Sequence, residues 1–169
     1  MKLPKLAAAL LAAALLTGSA FAMKPVTIVD QGSFLAGGTV VTAPGTFPFP
    51  EGEVPPVEKT TSPFPAKGTA VSMDDFMKLT KIPIIVYFGD NIPKGDTPVA
   101  NWGEDNWRVR WNLAKKWEAV MNKYGGHVQV VSLPDIGIKG NTHFMMADLN
   151  NEDVANAMEQ WMKDNGLAK

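Results

Sequence analysis

Cysteine is absent from this sequence, so a disulfide framework is excluded and stability must come from an ordinary hydrophobic core. Histidine is scarce, and only His127 and His143 represent it. A zinc site takes about three protein ligands, and no His-x-x-x-His spacing occurs, so we predict no metal and no cofactor. The formal net charge is −1 and the basic residues form no patch, which argues against nucleic acid as a partner.

Long hydrophobic runs are also missing, although a short one lies near the N terminus. Lys2 and Lys5 precede an unbroken series of leucine and alanine at Leu6–Leu16, and Ala20-Phe21-Ala22 follows as an A-x-A cleavage site. This order is typical of a secretory signal peptide, which we predict over residues 1–22. We therefore expect export to the periplasm or beyond and no stable membrane span after cleavage. An uncleaved membrane anchor is the alternative.

The next part of the chain divides into a hairpin and a proline-rich segment. Two β-prone runs, Val26–Val29 and Thr39–Thr42, flank a glycine-containing stretch, which predicts an N-terminal β-hairpin over residues 23–42. Residues 43–69 are rich in proline, which lacks a backbone donor and fixes φ. We predict a linker or an extended surface loop here, with no helix or central strand.

Residues 70–169 alternate between helical and β-strand patterns. Ser72 can cap a short helix, and a continuous apolar run over residues 82–88 predicts a strand buried on both faces. Residues 102–105 look like a loop, and a helical pattern begins at Asn106 or Trp107 and ends at Tyr124. A β-branched run from Val128 predicts a second strand, and Asn150 or Asn151 can cap a final helix. The fold class predicted is α/β, with a βαβ unit, a right-handed crossover and a closing helix.

The long helix has one apolar face and one charged face. Trp107, Trp111 and Trp117 recur at helical spacing, so we predict that they face a core or, where no layer covers them, an interface. Arg108 and Arg110 are assigned to the solvated face.

Four motifs in this part of the chain resemble secreted bacterial esterases of the α/β-hydrolase fold. They are Ile82-Pro-Ile-Ile-Val-Tyr-Phe-Gly-Asp90, Ser132-Leu-Pro-Asp-Ile-Gly-Ile138, Gly140-Asn-Thr-His143 and Asp148-Leu-Asn-Asn151. The resemblance covers about Met77 to Leu167 and implies that residues 70–169 are the C-terminal part of an α/β-hydrolase domain, with a partial parallel sheet and flanking helices. Gln31-Gly-Ser-Phe34 with Gly37-Gly38 also resembles the N-terminal strands of that family.

The resemblance implies an ester hydrolase with a Ser, Asp/Glu, His triad, in which His143 is the catalytic base. An imidazole in that role takes the proton of the serine and returns it to the leaving group. Asp90 follows a strand and is a substitute candidate for the acid, because the strand that carries the family's usual acid is missing. The alternatives are a turn-forming Asp90 and a His143 held by Asp90 or Asp148 as a structural hydrogen bond.

No nucleophile accompanies His143 in this sequence. The nucleophile elbow G-x-S-x-G is absent, and Ser33, Ser62, Ser72 and Ser132 stand in other contexts. The chain resembles the two ends of the family joined near residues 47–49, without the centre of the catalytic domain. We therefore expect a truncated esterase that is inactive alone and would take a small ester if complete. A non-catalytic exported interaction protein that self-associates, and half of a split esterase completed by another chain, are the alternatives.

Overall fold

Residues 47–168 are described by the computed structural model, in which two short parallel sheets and three helices form a small α/β arrangement. The predicted signal peptide and hairpin lie outside these residues. No helix among residues 47–168 is long and apolar enough to cross a membrane. The elements are β1 (Pro48–Pro50), β2 (Thr69–Val71), α1 (Met73–Leu79), β3 (Pro83–Phe88), α2 (Trp102–Lys123), β4 (His127–Ser132) and α3 (Asn151–Asp164), with 3-10 turns at Leu133–Ile136 and Met145–Ala147.

The larger sheet pairs β3 with β4, and α2 connects them. The two strands are parallel, with Pro83 opposite His127 and Phe88 opposite Ser132. Parallel neighbours need a long connection, and the amphipathic α2 supplies it while packing against β4. The predicted strand, helix, strand and helix order is confirmed, and the right-handed crossover stays a prediction.

A side-chain cap explains where each of the first two helices, α1 and α2, begins. The Ser72 hydroxyl accepts the Asp75 N–H, as predicted for α1. Asn101 caps α2 through the Gly103 and Glu104 N–H groups. The expectation of a loop over residues 102–105 was therefore wrong. Hydrophobic periodicity starts only at Trp107, but the Asn101 cap and the acidic first turn already stabilise the helix.

The core lies where α2 covers β4 and the two small strands. Its α2 residues include Ala114, Trp117 and Met121, which confirms the predicted apolar face, whereas Trp107 and Trp111 are half-buried. The buried apolar side chains of this core are Phe49, Ala66, Val71, Phe76, Phe88, Val109, Leu113, Ala114, Trp117, Met121, Val128 and Val130.

The proline-rich segment takes part in this core, which differs from the expectation of a linker or surface loop. Phe49 is 0% exposed and lies in β1, which pairs in parallel with β2. The aromatic ring of Phe47 packs on Trp117 with ring centroids 5.1 Å apart. β1 tolerates its two prolines because it is short and has one partner strand, so few backbone donors are needed.

A buried ion-pair cluster ties the same segment to α2. The Arg108 side chain is 0% exposed; its Nε donates to Asp105 at 2.7 Å and its Nη1 to Glu58 at 3.2 Å. The guanidinium also donates to the carbonyl oxygens of Lys59 and Gly95. Arg108 holds the pKa of the Asp105 carboxyl well below its usual range. The assignment of Arg108 to the solvated face was wrong, because ion pairs with Asp105, one turn earlier in α2, and with the sequence-distant Glu58 compensate its burial.

The final helix, α3, begins at Asn151, in agreement with the predicted start, and has Glu152 and Asp153 in its first turn. Asn150 occupies the capping position, but its side chain makes no capping hydrogen bond. Among the apolar side chains of α3, Val154 is buried and Met158 is 43% exposed. The apolar face of α3 is therefore covered only in part by residues 47–168.

Candidate functional site

The two residues predicted for catalysis lie at the same end of the larger sheet. Asp90 follows β3 after Gly89, and His143 lies in the loop that follows β4. Because β3 and β4 are parallel neighbours, their carboxyl ends meet at one edge, which is where open α/β sheets bind ligands.

A cavity of about 560 Å³ opens at this edge. Asp90 and His143 both line it, together with Phe88, Trp107 and the start of α2. We predicted from the sequence that Trp107 faces a core or an interface, and its place in this cavity was not predicted. Helical spacing gives the face on which a residue lies, but it does not tell whether that face ends at a cavity.

His143 is held against aromatic rings. Its ring centroid lies 5.2 Å from that of Trp107 and 4.3 Å from that of Phe144. The residue is exposed, so its imidazole can reach a ligand in the cavity.

Asp90 binds the loop that carries His143 rather than the imidazole itself. Its Oδ2 accepts the Gly140 N–H at 2.9 Å, and its Oδ1 accepts the Asn91 N–H at 2.6 Å. The hydrogen bond from Gly140 is the larger cause that lowers the pKa of Asp90, followed by that from Asn91. Within residues 47–168, the hydrogen bonds of the Asp90 and Asp148 carboxylates go to groups other than the His143 ring. The catalytic roles of Asp90 and His143 stay predictions.

No serine among residues 47–168 lines this cavity. Ser62 is buried in the proline-rich segment, Ser72 caps α1, and Ser132 is buried at the end of β4, opposite Phe88. Ser33 lies outside the described residues. The side chains that line the cavity therefore include neither serine nor cysteine among residues 47–168. The same residues contain no group of three or more side chains that could hold a metal ion.

Gly89, just after β3, lies in close contact with the loop that carries His143, and a substitution tests this contact. A Cβ at this position would lie 2.5 Å from the Thr142 carbonyl oxygen and 2.7 Å from that of Asn141. Backbone oxygens cannot rotate aside, so Gly89→Ala is expected to lower the free energy of unfolding by about 1–3 kcal/mol. Urea denaturation followed by circular dichroism measures this change.

Gly103→Ala is the matched control, because Gly103 lines the same cavity from the first turn of α2. Its Cβ would meet only the Asn101 side chain, at 3.3 Å, and alanine is favoured over glycine in helices. Stability should stay the same or rise. Equal losses in both variants would show that the Gly89 contact is not specific.

No protein-family model and no curated protein matches this chain. Among solved structures it is similar to one described as a novel bacterial esterase, with 34% sequence identity and a TM-score of 0.46. The match covers 57% of this chain and 27% of the esterase, so the chain spans little more than a quarter of that protein.

Proposed function

We propose that this chain carries the histidine-bearing part of a carboxylic ester hydrolase site of the α/β-hydrolase type, and that it does not form an acyl-enzyme alone. One observation carries the proposal. Asp90 and His143 follow two neighbouring parallel strands and line one cavity. The described residues that line this cavity include no serine and no cysteine.

The roles follow from the chemistry of acyl transfer. His143 would remove the proton of a serine hydroxyl as it attacks the ester carbonyl and then protonate the leaving alkoxide. Asp90 is the candidate acid, and it supports the histidine through the Gly140 N–H, three residues before it. The ester would be small and would lie between Trp107 and the His143 loop.

The missing nucleophile defines the rest of the proposal. No G-x-S-x-G occurs in the sequence, so the elbow that exposes a nucleophilic serine has to come from outside these residues. The motifs that resemble those of secreted bacterial esterases support the proposed assignment, and the N-terminal pattern supports the proposed export. Loss of the central region of a catalytic domain is our explanation for this combination.

A second candidate is that the site is completed by another chain or covered by self-association. The observation that favours it is an apolar surface beside His143, where Phe144 is 60% exposed, Met146 is 68% exposed and Leu149 is fully exposed. Apolar surfaces of this kind mark contact sites. In this candidate the chain is half of a split esterase or a non-catalytic interaction protein.

Hydrolysis of a short-chain aryl ester tests the proposal. The purified chain should hydrolyse the ester no faster than its His143→Ala variant, and a serine-directed phosphonate probe should not label it. When a separate fragment with a G-x-S-x-G elbow restores hydrolysis, His143→Ala should lower kcat by roughly 10²- to 10⁴-fold.

His127→Ala is the matched control, because His127 is the other histidine and starts β4 away from the cavity. It should leave the restored rate unchanged. Hydrolysis by the chain alone that His143→Ala abolishes would contradict the proposed inactivity. Restored hydrolysis that His143→Ala leaves intact would contradict the role of His143.

A further inference from the structure

The loop between β4 and α3 contains a group of polar side chains that the ester-hydrolase assignment does not use. We propose that Asp148, together with the paired amides of Asn141 and Asn150, positions His143 at the cavity. The use of this positioning in catalysis rests on the proposed function, whereas the positioning itself rests on the hydrogen bonds within the loop.

Asn141 and Asn150 form a reciprocal amide pair across the loop. The Asn141 Nδ2 donates to the Asn150 Oδ1 at 2.7 Å, and the Asn150 Nδ2 donates to the Asn141 Oδ1 at 3.0 Å. Asn150 also donates to the Lys139 carbonyl oxygen at 3.1 Å, and Asn141 is only 1% exposed. This pair closes the loop at its base, and it explains why Asn150 is not free to cap α3.

Asp148 holds the backbone on the N-terminal side of His143. Its Oδ2 accepts the Thr142 N–H at 2.7 Å and the Asn141 Nδ2 at 3.3 Å, while its Oδ1 accepts the Thr142 hydroxyl at 3.1 Å. A carboxylate that accepts several hydrogen bonds makes strong, charge-assisted contacts.

Thr142 extends this set of hydrogen bonds to the backbone on the C-terminal side of His143. The Thr142 Oγ1 accepts the Phe144 N–H at 3.0 Å while its hydroxyl donates to Asp148. The backbone on both sides of His143 is therefore linked to one carboxylate, directly at Thr142 and indirectly at Phe144.

A second anchor fixes the loop to the sheet. The Asp90 N–H donates to the Asn141 carbonyl oxygen at 2.8 Å, and Asp90 accepts the Gly140 N–H. Asn141 thus joins the two anchors, since its backbone binds the end of β3 and its side chain binds Asp148 and Asn150. Together these contacts determine where the His143 ring lies relative to Trp107 of α2.

Nuclear magnetic resonance of the two histidines tests this proposal, because the imidazole protons of His143 lie beside Trp107 and experience its ring current. His143→Ala and His127→Ala assign the two signals of the full chain. In Asp148→Ala the His143 signal should lose its ring-current displacement and move toward the position of the exposed His127. Amide exchange at Thr142 and Phe144 should accelerate in the same variant.

Asp153→Ala is the matched control, because Asp153 is an exposed aspartate at the start of α3 without a side-chain hydrogen bond among the described residues. It should leave the His143 signal unchanged. Thr142→Val keeps the size of the side chain but removes the hydroxyl, so it should move the His143 signal in the same direction as Asp148→Ala. This second variant decides the matter even if Asp148→Ala fails to fold.

An unchanged His143 signal in Thr142→Val and in a folded Asp148→Ala would overturn the proposal. So would an equal shift in Asp153→Ala, because the effect would then not be specific to Asp148. The measurement needs no turnover, so it separates the two proposals. A moved signal without complemented hydrolysis would refute the esterase function and leave the positioning intact.

Discussion

Arg108→Ala is expected to lower the free energy of unfolding by about 3–5 kcal/mol, because it leaves a buried carboxylate without its partner. Asp105 is 0% exposed and would keep only uncharged donors, among them the Thr61 N–H at 2.8 Å and the Val99 N–H at 2.9 Å. Glu58 would lose the same guanidinium. Urea denaturation of the purified chain, followed by tryptophan fluorescence, measures the change.

Arg110→Ala provides the matched control for this effect. Arg110 lies two residues further along α2, is only half-buried, and has its guanidinium carbon 5.5 Å from the Trp107 ring centroid. Its replacement should cost far less than that of Arg108, since no buried ion pair is broken. If the two variants lose equal stability, the Arg108 cluster does not contribute what its burial implies.

Phe49→Ala should be comparably severe, with an expected loss of about 3–5 kcal/mol, because a fully buried aromatic ring would leave a cavity in the core. The ring lies directly against Gly68, where an added Cβ would come within 2.6 Å of it. This contact fixes β1 beside the segment that leads into β2. A thermal melt followed by far-ultraviolet circular dichroism measures the loss.

Phe64→Ala makes the same chemical change in the same proline-rich segment, but Phe64 is 73% exposed. Its stability should stay close to that of the unmodified chain. A small domain is stable by about 5–15 kcal/mol, so Phe49→Ala is expected to remove a substantial part of the free energy of unfolding. A linker without core contacts would instead tolerate both substitutions equally.

The substitutions of Arg108 and Phe49 both test how the proline-rich segment is attached to the rest of the fold. Phe49 binds the proline-rich segment to the core through apolar burial, and Glu58 binds it to α2 through charge. The segment is therefore part of the folded unit, although its composition is that of a linker. Its prolines restrict the unfolded chain as well, which reduces the entropy lost when the segment is fixed.

Local patterns in the sequence were sufficient to predict most of the regular elements. The apolar run at β3 and the β-branched run at β4 were recognised as strands, and the Ser72 cap of α1 was identified from residue type alone. These features depend on neighbours in sequence, because strand alternation, helical periodicity and capping are all properties of short segments. The place of His143 after β4 was predictable for the same reason.

The tertiary structure decided everything that depends on residues far apart in the chain. Arg108 has the residue type of a solvated face, but Glu58, fifty positions earlier, joins the local Asp105 in compensating its burial. Trp107 becomes part of a site only because the loop after β4 brings His143 against it. Short-range patterns contain no information about contacts between residues that are distant in sequence. Burial and electrostatic pairing are determined by which surfaces come together in the folded chain. The sequence by itself thus determined most of the regular elements and the place of His143 after β4, and the tertiary structure decided which distant residues contact one another.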